Sequence, residues 1–285
     1  MKRLLKWVGG IVAGVVALVA VFLVATYFIS ESKLNATYQI AVNPLDVSTD
    51  SATVARGEHL VQILSCQECH GAQLAGTVFV DAPPFRVVAT NLTSGAGGVG
   101  AYYDDAAWDR ALRHGVDYRG QSLVLMPSQL FHNLSDEDAA AVIAYLKTLP
   151  PVDNVLPETE LRVIGRPIVA MTGGILQADL IDHARPAPTA EPGATAAYGA
   201  YLASVSCIEC HGADLRGGMH PSGEGPPVPG LEGVKDWSRD DFARTVRTGN
   251  TPDGRQLDGK LMPWRFYQHL TDEEVDALYA HLQTL

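Results

Sequence analysis

The stretch Cys66-Gln67-Glu68-Cys69-His70 decides how this chain folds, and a second copy, Cys207-Ile208-Glu209-Cys210-His211, begins 141 residues later. Each copy has the form C-x-x-C-H, and together they contain all 4 cysteines of the 285-residue chain. In a helical turn, residues three and four positions apart lie on one face. Both thiols of a copy can therefore reach the two vinyl groups of one flat ring, with the histidine directed at its centre. This pattern is typical of c-type haem attachment.

The motif predicts a role for each cysteine and histidine that the two copies share. His70 in the first motif and His211 in the second are each expected to bind the iron as one axial ligand. The residues expected to form the covalent thioether bonds are Cys66, Cys69, Cys207 and Cys210. The predicted cofactors are therefore two covalently bound c-type haems.

Three other kinds of site use the C-x-x-C spacing: a zinc site, a redox-active thiol pair and a structural disulfide. A zinc site built from both copies would need neighbouring segments that fold together, and the copies are far apart in sequence. A thioredoxin-like pair would lie in a βαβ pattern, which the sequence lacks. Because a histidine follows the second cysteine in both copies, the sequence favours haem.

The charge balance argues against one class of partner. The chain has 32 acidic and 21 basic residues, a formal net charge of -11. No nucleic acid partner is therefore expected. An acidic surface suits docking to a basic patch on a redox protein, and it also serves solubility alone.

The segment from Trp7 to Ile29 contains 23 residues without a formal charge. As a helix it spans about 35 Å, enough to cross a bilayer. Three basic residues precede it, so the positive-inside rule places the N-terminus in the cytoplasm and the chain beyond about Glu31 on the periplasmic or outer face. A cleavable signal with Leu23-Val24-Ala25 as a poor cleavage site is the alternative. The sequence favours a retained single-pass anchor in the cytoplasmic membrane.

The remaining chain divides into two similar domains and two connecting segments. The predicted order is an N-terminal transmembrane anchor (1–30), a tether (31–50), a first domain (51–150), an interdomain connection (151–193) and a second domain (194–285). The connection is rich in proline, but residues 161–180 are apolar enough to pack on a surface. We therefore expect an ordered connection and not a free linker.

Helix signals in the first domain predict an all-α architecture. Apolar spacing over residues 53–65 predicts a helix that ends at the first motif. A second helix is expected over 104–113, stopped by Gly115, and a third over 135–149, with Ser135 as its capping residue. The stretch 81–100 is rich in proline and glycine and is expected to be loop.

The second domain repeats these signals. The sequence G-A-x-L-x-G follows both motifs, at 71–76 and 212–217. Residues 242–249 correspond to 108–115, and 271–285 to the last helix of the first domain. The chain is therefore a tandem duplication.

Each domain has a methionine at the same place in the repeat. Met126-Pro127 and Met262-Pro263 lie 9 residues before the cap of the last helix, 56 and 51 residues after the motif histidines. A lone methionine is usually core filler. Two methionines in register instead predict the second axial ligand of each iron, which raises the reduction potential of both centres.

Three further residues are weaker candidates for that position. Met219 follows its histidine by only 8 residues. His114 and His132 would give bis-histidine ligation, but the second domain has no histidine at the corresponding positions, so we interpret them as surface or core residues. The candidates for haem propionate contacts, whose simpler interpretation is exposed helix arginines, are Arg110, Arg113, Arg244 and Arg247.

Together these motifs resemble the class I cytochrome c fold, present twice. The tandem form with an N-terminal anchor is similar to membrane-anchored dihaem cytochrome c proteins of bacteria. Asn91-Leu92-Thr93 and the stretch 110–116 are similar to cytochrome subunits of bacterial membrane dehydrogenases and respiratory complexes. This sequence carries two copies where trihaem dehydrogenase subunits have three, and its second copy has a shortened first helix.

The resemblance implies electron transfer without bond chemistry by the protein itself. The expected donor is a membrane redox complex or dehydrogenase, and the expected acceptor is a soluble cytochrome, an oxidase or a reaction centre. A dihaem peroxidase-like oxidoreductase is the enzymatic alternative, and it needs an open or displaceable sixth position on one iron. A haem-based sensor or a structural subunit is the third possibility.

Overall fold

The computed structural model describes residues 2–220 and 225–285. Met1, the first residue of the expected anchor, lies outside that range, as do residues 221–224 of the second domain. The helices are α1 (Lys2–Leu34), α2 (Ser51–Ile63), α3 (Cys66–His70), α4 (Asp105–His114), α5 (Ser128–Phe131), α6 (Asp136–Thr148), α7 (Arg166–Thr172), α8 (Ala196–Ser206), α9 (Ile208–His211), α10 (Arg239–Thr248), α11 (Trp264–Tyr267) and α12 (Asp272–Leu282). The strands are β1 (Thr77–Ala82), β2 (Phe85–Ala89) and β3 (Glu160–Leu161).

α1 is the one helix within the described residues that is long and apolar enough to cross a membrane. Its side chains are exposed from Lys2 to Ile29, except for Thr26, which is buried; beyond that, Ser30 is buried and Glu31, Lys33 and Leu34 are half-buried. The helix continues to Leu34, four residues beyond the expected end of the anchor at residue 30. The rest of the tether has no helix, and it contacts the first domain through a bridge between Thr37 and Gln121.

The first domain is built on its first and last long helices, α2 and α6. The Asp50 side chain caps α2 by accepting hydrogen bonds from two backbone N–H groups, and the Ser135 side chain caps α6 by accepting one, from the backbone N–H of Asp138. The helices cross at Gly57, where a Cβ would lie 1.9 Å from the backbone oxygen of Ala141. Only glycine therefore allows this approach. The three helices expected in this domain are confirmed, including the stop at Gly115, which has φ 63°.

The second domain has the same construction. α8 packs on α12, and a Cβ on Gly199 would lie 1.9 Å from the oxygen of Ala277. Thr271 and Glu274 form a complete capping box at the start of α12. The sequence duplication is therefore a duplication of structure.

The expectation of loop over residues 81–100 is wrong for its first part. β1 and β2 form an antiparallel hairpin in which Thr77 pairs with Ala89 and Ala82 with Phe85, with an irregularity between Val78 and Val80. Both strands are rich in β-branched and aromatic residues, and the proline pair between them makes the turn. The protein is nevertheless all-α in class, because the sheet has only three short strands.

The connection between the domains is ordered. β3 extends the hairpin by pairing with β2, α7 follows it, and a short 3₁₀ helix spans Gln177–Leu180. The side-chain nitrogen of Asn154 donates to the backbone oxygens of Ala75 at 2.9 Å and Gly76 at 3.2 Å. The connection thus packs on the first domain, as its apolar composition led us to expect.

A set of polar side chains, called here the interdomain network, joins the two domains. The guanidinium of Arg56 contacts Asp138 at 2.9 Å in its own domain and Glu274 at 3.0 Å in the other. His59 Nε2 lies 2.8 Å from Glu274, and the Tyr201 hydroxyl donates to Asp138 at 2.7 Å. Both carboxylates are buried, so the network fixes one domain against the other.

Candidate haem sites

The two C-x-x-C-H motifs form the short helices α3 and α9, each directly after the first long helix of its domain. Between α2 and α3 the chain turns at Ser65, which has a left-handed φ of 61°. α8 continues into α9 through Cys207, whose φ of -92° and ψ of -34° remain near-helical. The two motifs therefore have the same helical geometry, although the chain reaches them by different local turns.

Both motif histidines are held by one ring nitrogen. His70 Nδ1 lies 2.7 Å from the backbone oxygen of Thr90, and His211 Nδ1 lies 2.9 Å from that of Pro229. A carbonyl only accepts hydrogen bonds, so Nδ1 carries the proton and Nε2 keeps its lone pair. Burial also lowers the pKa of both imidazoles, which favours the neutral form. Each ring is thus prepared to bind a metal through Nε2, and this orientation fits an axial haem ligand.

The carbonyl groups that hold the histidines are themselves fixed by a second repeated contact. The backbone N–H of Leu92 donates to the oxygen of Leu74 at 2.9 Å, and that of Leu231 donates to Leu215 at 2.8 Å. Leu74 and Leu215 both have positive φ values, 55° and 58°. These leucines are the L of G-A-x-L-x-G, and each carbonyl lies two residues before the donor. Sequence reasoning missed the two carbonyls, because a backbone acceptor leaves no residue type to recognise.

The four cysteines are half-buried, and acidic side chains lie near one thiol of each motif. Burial raises the pKa of Cys66 to about 12, and the Cys69 thiol adds to the shift. Burial, then Glu68 and Glu209, raise the pKa of Cys69 to about 11. Burial also raises the pKa of the two thiols in the second motif. Redox-active and metal-binding cysteines need the opposite surroundings, which stabilise a thiolate.

The donor set therefore fits haem better than the alternatives. All four cysteines are free of disulfides. Within residues 2–220 and 225–285, no group of three or more His, Cys, Asp or Glu side chains is arranged to hold a metal ion. A zinc site made of both motifs is thus not formed, whereas paired thiols beside an imidazole with a free Nε2 are what haem attachment uses.

The two methionines occupy the same local structure. Each is followed by a proline that caps a four-residue helix, with φ and ψ of -77° and 53° before α5, and -79° and 54° before α11. The backbone oxygen of Met126 accepts from Ser128 N at 2.7 Å, and that of Met262 accepts from Trp264 N at 2.7 Å. Both side chains are half-buried, whereas Met219 is 81% exposed. Their pairing with the histidines through one iron stays a prediction.

His114 and His132 lie in a buried histidine cluster, as the interpretation of core residues expected. Their ring centroids are 5.2 Å apart, and His114 Nδ1 lies 3.0 Å from Nδ1 of His183. His132 Nδ1 faces the backbone oxygen of Arg113 at 3.0 Å. His183 comes from the interdomain connection, so repeat analysis of the domains did not identify it.

The interpretation of the four arginines as exposed helix residues is wrong for Arg113. Its side chain is buried and is bound by Asp109 at 2.5 Å and Asp136 at 2.7 Å. These carboxylates occupy its guanidinium, so it is an internal structural residue. Arg110 is half-buried, and Arg244 is exposed beside an acidic neighbour. Arg247 binds Asp272 at 3.0 Å, and its buried Nε has no partner among the described residues.

The two motifs lie close to each other across the domain junction. Glu68, inside the first motif, forms a 2.5 Å ion pair with Arg265 of α11. Glu209, inside the second motif, acts electrostatically on the thiol of Cys69. Burial, then both thiols of the second motif, raise the pKa of the Tyr267 hydroxyl in α11. The helix after Met262 therefore contacts both attachment sites.

Each of the two domains matches a known protein family. Residues 52–146 match the family described as cytochrome c oxidase, cbb3-type, subunit III, and residues 196–285 match the cytochrome c family. The chain carries two cytochrome c domains. The residues of the second match include the whole of its motif, the Met262 turn and the final helix. Within a cytochrome c domain, the paired cysteines are the expected points of covalent haem attachment.

Three relatives are similar to this chain over most of its length. The chain is 26% identical to the fructose dehydrogenase cytochrome subunit of Gluconobacter japonicus, over 85% of this chain and 54% of that protein. It is 28% identical to the gluconate 2-dehydrogenase cytochrome c subunit of Pantoea cypripedii, over 84% and 61%. It is 29% identical to a diheme cytochrome c-type protein of Cereibacter sphaeroides, over 80% and 84%. The chain thus spans little more than half of the first two relatives, and the cytochrome c domains support electron transfer as its function.

Proposed function

We propose that the protein is a membrane-anchored dihaem cytochrome that takes electrons from a membrane dehydrogenase and passes them to a downstream acceptor. Each haem, when bound, supplies one-electron redox chemistry at its iron. The chain's own residues attach it through Cys66 and Cys69, or Cys207 and Cys210. His70 and Met126, and His211 and Met262, are the proposed axial ligands.

The orientation of the two motif histidines carries this proposal. Each imidazole is fixed through Nδ1 to a backbone oxygen, at 2.7 Å and 2.9 Å, and so leaves Nε2 for iron. A dihaem carrier needs two iron-binding sites in one chain, and both sites here have a histidine oriented in this way. The half-buried methionine in each domain would close the sixth position, which favours electron transfer over peroxide chemistry.

The position of the two motifs supports transfer within the chain. Glu209 of one motif lies close enough to act on Cys69 of the other, and the Glu68–Arg265 ion pair spans the same junction. The interdomain network, in which Glu274 is buried, prevents the domains from separating freely. Rigid contact between two redox domains keeps the distance between their centres constant, so electrons can pass from one to the other.

The proposed location is the cytoplasmic membrane, with α1 as a single-pass anchor and both haem domains on the periplasmic or outer face. α1 has exposed apolar side chains along its length, and three basic residues precede its charge-free part. The positive-inside rule gives the orientation. The proposed donor is a dehydrogenase, because two of the relatives are named as cytochrome subunits of dehydrogenases. A soluble cytochrome, an oxidase or a reaction centre is the proposed acceptor.

Capture of the native complex tests the proposed partner. The full chain carries a C-terminal affinity tag, is expressed in its own host and is purified from membranes in a mild detergent. We expect a dehydrogenase subunit to co-elute in about equimolar amount, and the haems in the purified complex to be reduced when the substrate of that dehydrogenase is added. Recovery of the chain without a dehydrogenase would contradict the proposed donor.

A further inference from the structure

The segment 163–172, which includes α7, presents apolar side chains to its surroundings. Ile164, Ile168 and Met171 are spaced four and three positions apart and are 66%, 44% and 68% exposed. Ile168 and Met171, three positions apart, lie on one side of α7, and Ile164 lies in the turn that precedes the helix. Val169, on the other side, is 1% exposed and packs into the protein. The segment is therefore amphipathic, with its apolar outer face uncovered within the described chain.

α7 is fixed against the last turns of α1. The Arg166 guanidinium binds Glu31 at 2.7 Å and Ser30 at 3.0 Å, and it lies 4.1 Å from the centre of the Tyr27 ring. A second hydrogen bond has its donor on α1: the ammonium of Lys33 donates to the backbone oxygen of Val169 in α7 at 3.2 Å. α7 therefore lies beside residues 27–33 of α1.

This contact places α7 at a definite level along the anchor. The charge-free part of α1 ends at Ile29, and the first charges after it are Glu31 and Lys33. A transmembrane helix passes from hydrocarbon to headgroups where its charge-free part ends. Tyr27 also lies at this level, and aromatic side chains of this kind favour the interface. α7 thus lies beside the part of α1 at which its charge-free run ends.

We propose that α7 lies in the outer interface of the bilayer that α1 crosses, with Ile164, Ile168 and Met171 inserted among the lipids. The inference rests on the proposed membrane anchoring by α1. A short amphipathic helix binds such an interface through its apolar face, with cationic groups at the headgroup level. Arg166 and Lys33 are the cationic groups at that level here.

Two observations favour lipid over a protein as the occupant. The exposed apolar side chains of α7 lie next to the exposed apolar surface of α1, because the two helices are in contact. The ion pair of Arg166 with Glu31 also sits at the edge of that surface, where headgroups and water meet the hydrocarbon. If both α1 and α7 contact the membrane, the tilt of the first haem domain relative to the bilayer is fixed. A single transmembrane helix followed by a tether would leave that tilt free.

Thiol accessibility in a bilayer tests this placement. The full-length holoprotein is reconstituted in nanodiscs of phosphatidylcholine and phosphatidylglycerol, and single variants Met171→Cys, Val155→Cys and Phe22→Cys are treated with a charged, water-soluble methanethiosulfonate. Val155 is the matched control, because it is 78% exposed and lies in the same connection, away from α1. Phe22 reports the anchor alone. We expect the thiol at 171 to react at least ~10-fold more slowly than that at 155, because a thiol among lipids does not ionise, and the thiol at 22 to stay unmodified.

A phospholipid that carries a photoreactive diazirine then identifies what protects the site. Lipid adducts on the peptide that contains residues 163–172, and none on the peptide around residue 155, are the expected result. Reaction at 171 as fast as at 155, with 22 protected, would overturn the inference and leave the anchor intact. Protection of 171 without a lipid adduct would mean that protein covers the face, and would also overturn it. Free reaction at 22 would refute the anchoring itself.

Discussion

Glu68 and Arg265 form an ion pair, 2.5 Å between Oε2 and Nη2, that links the first C-x-x-C-H motif to the helix after Met262 in the other domain. Both side chains are nearly half exposed, at 44% and 47%. Exposed pairs contribute at most about 1 kcal/mol to stability. The consequence of this pair is therefore electrostatic: it balances an acidic charge inside one haem-attachment motif with a basic charge from the neighbouring domain.

The variant Arg265→Gln should lower one of the two midpoint potentials. It removes a positive charge and leaves the Glu68 carboxylate unbalanced, and both changes favour the oxidised iron, which carries one more positive charge. We expect a shift of no more than about 60 mV, equal to a tenfold change for a one-electron couple. A spectroelectrochemical titration of the purified holoprotein measures it.

Arg239→Gln is the control for that shift. Arg239 is also a paired arginine of the second domain, bound to Asp276 at 2.6 Å, but it lies at the start of α10 and away from both motifs. Its loss should move neither potential measurably. Equal shifts in the two variants would show that the pair at the junction has no special influence.

Glu274→Gln should weaken the junction between the domains. Glu274 is buried and binds both Arg56 and His59 across that junction. Loss of its charge leaves His59 without its acidic partner and Arg56 with Asp138 alone, which costs about 2–3 kcal/mol for a partly buried site. Chemical denaturation measures the loss. Glu273→Gln makes the same change one position earlier, at an exposed residue, and is expected to cost less than about 0.5 kcal/mol.

The same carboxylate should produce a specific acid dependence. Burial raises the pKa of Glu274, but hydrogen bonds from His59, from the Thr271 backbone and from Arg56, together with the charge of His59, outweigh it and lower the pKa from 4.5 to about 2. The stability from the ionised form is present above pH 4.5 and is lost as the pH falls towards 2, about 3 kcal/mol in all. The difference in unfolding free energy between the parent and Glu274→Gln should shrink over that interval. A constant difference from pH 7 to pH 2 would contradict this account.

Gly57→Ala and Gly199→Ala should each destabilise one domain. In both cases the added methyl group would lie 1.9 Å from a backbone oxygen of the crossing helix, so the helices must move apart. Overpacking of this kind costs about 1–3 kcal/mol or more. Gly233→Ala is the control, because nothing lies within 4 Å of its added methyl group. Thermal unfolding should show a lower midpoint for the two crossing variants only.

Met126→His and Met262→His should each lower one midpoint potential, because a second imidazole replaces a thioether that favours reduced iron. Met219→Leu should change neither potential, since Met219 is 81% exposed. A shift in the Met219 variant, with none in Met262→His, would transfer the ligand role to Met219.

Local signals explain how much of this fold the sequence predicts. The helices that begin at Ser51, Asp105 and Asp136 follow a capping side chain, and Gly115 ends one of them in a left-handed conformation. These features act within a few residues and are readable one segment at a time. The two C-x-x-C-H motifs and the methionines in register are equally local, so the candidate site residues were available from the sequence.

Contacts between segments that are distant in sequence cannot be predicted from such local signals. The hairpin of β1 and β2 has no clear local signal, because the prolines between its strands and the glycines at 95–100 dominate the composition of residues 81–100 and hide two β-branched runs. Glu274 and Arg56 meet across 218 residues of chain, and no local pattern indicates that pairing. Arg113 was misjudged for the same reason: its burial depends on Asp136 from another helix.

A spectroelectrochemical titration of the full-length holoprotein tests the central claim most directly. It records the absorption spectrum while the potential is lowered, and so reports the number of centres and the ligands of each. Two cytochrome c domains with histidine and methionine ligands predict two one-electron transitions, both low-spin in each oxidation state and both at relatively high potential. A single transition, or a high-spin centre that binds peroxide, would contradict the account.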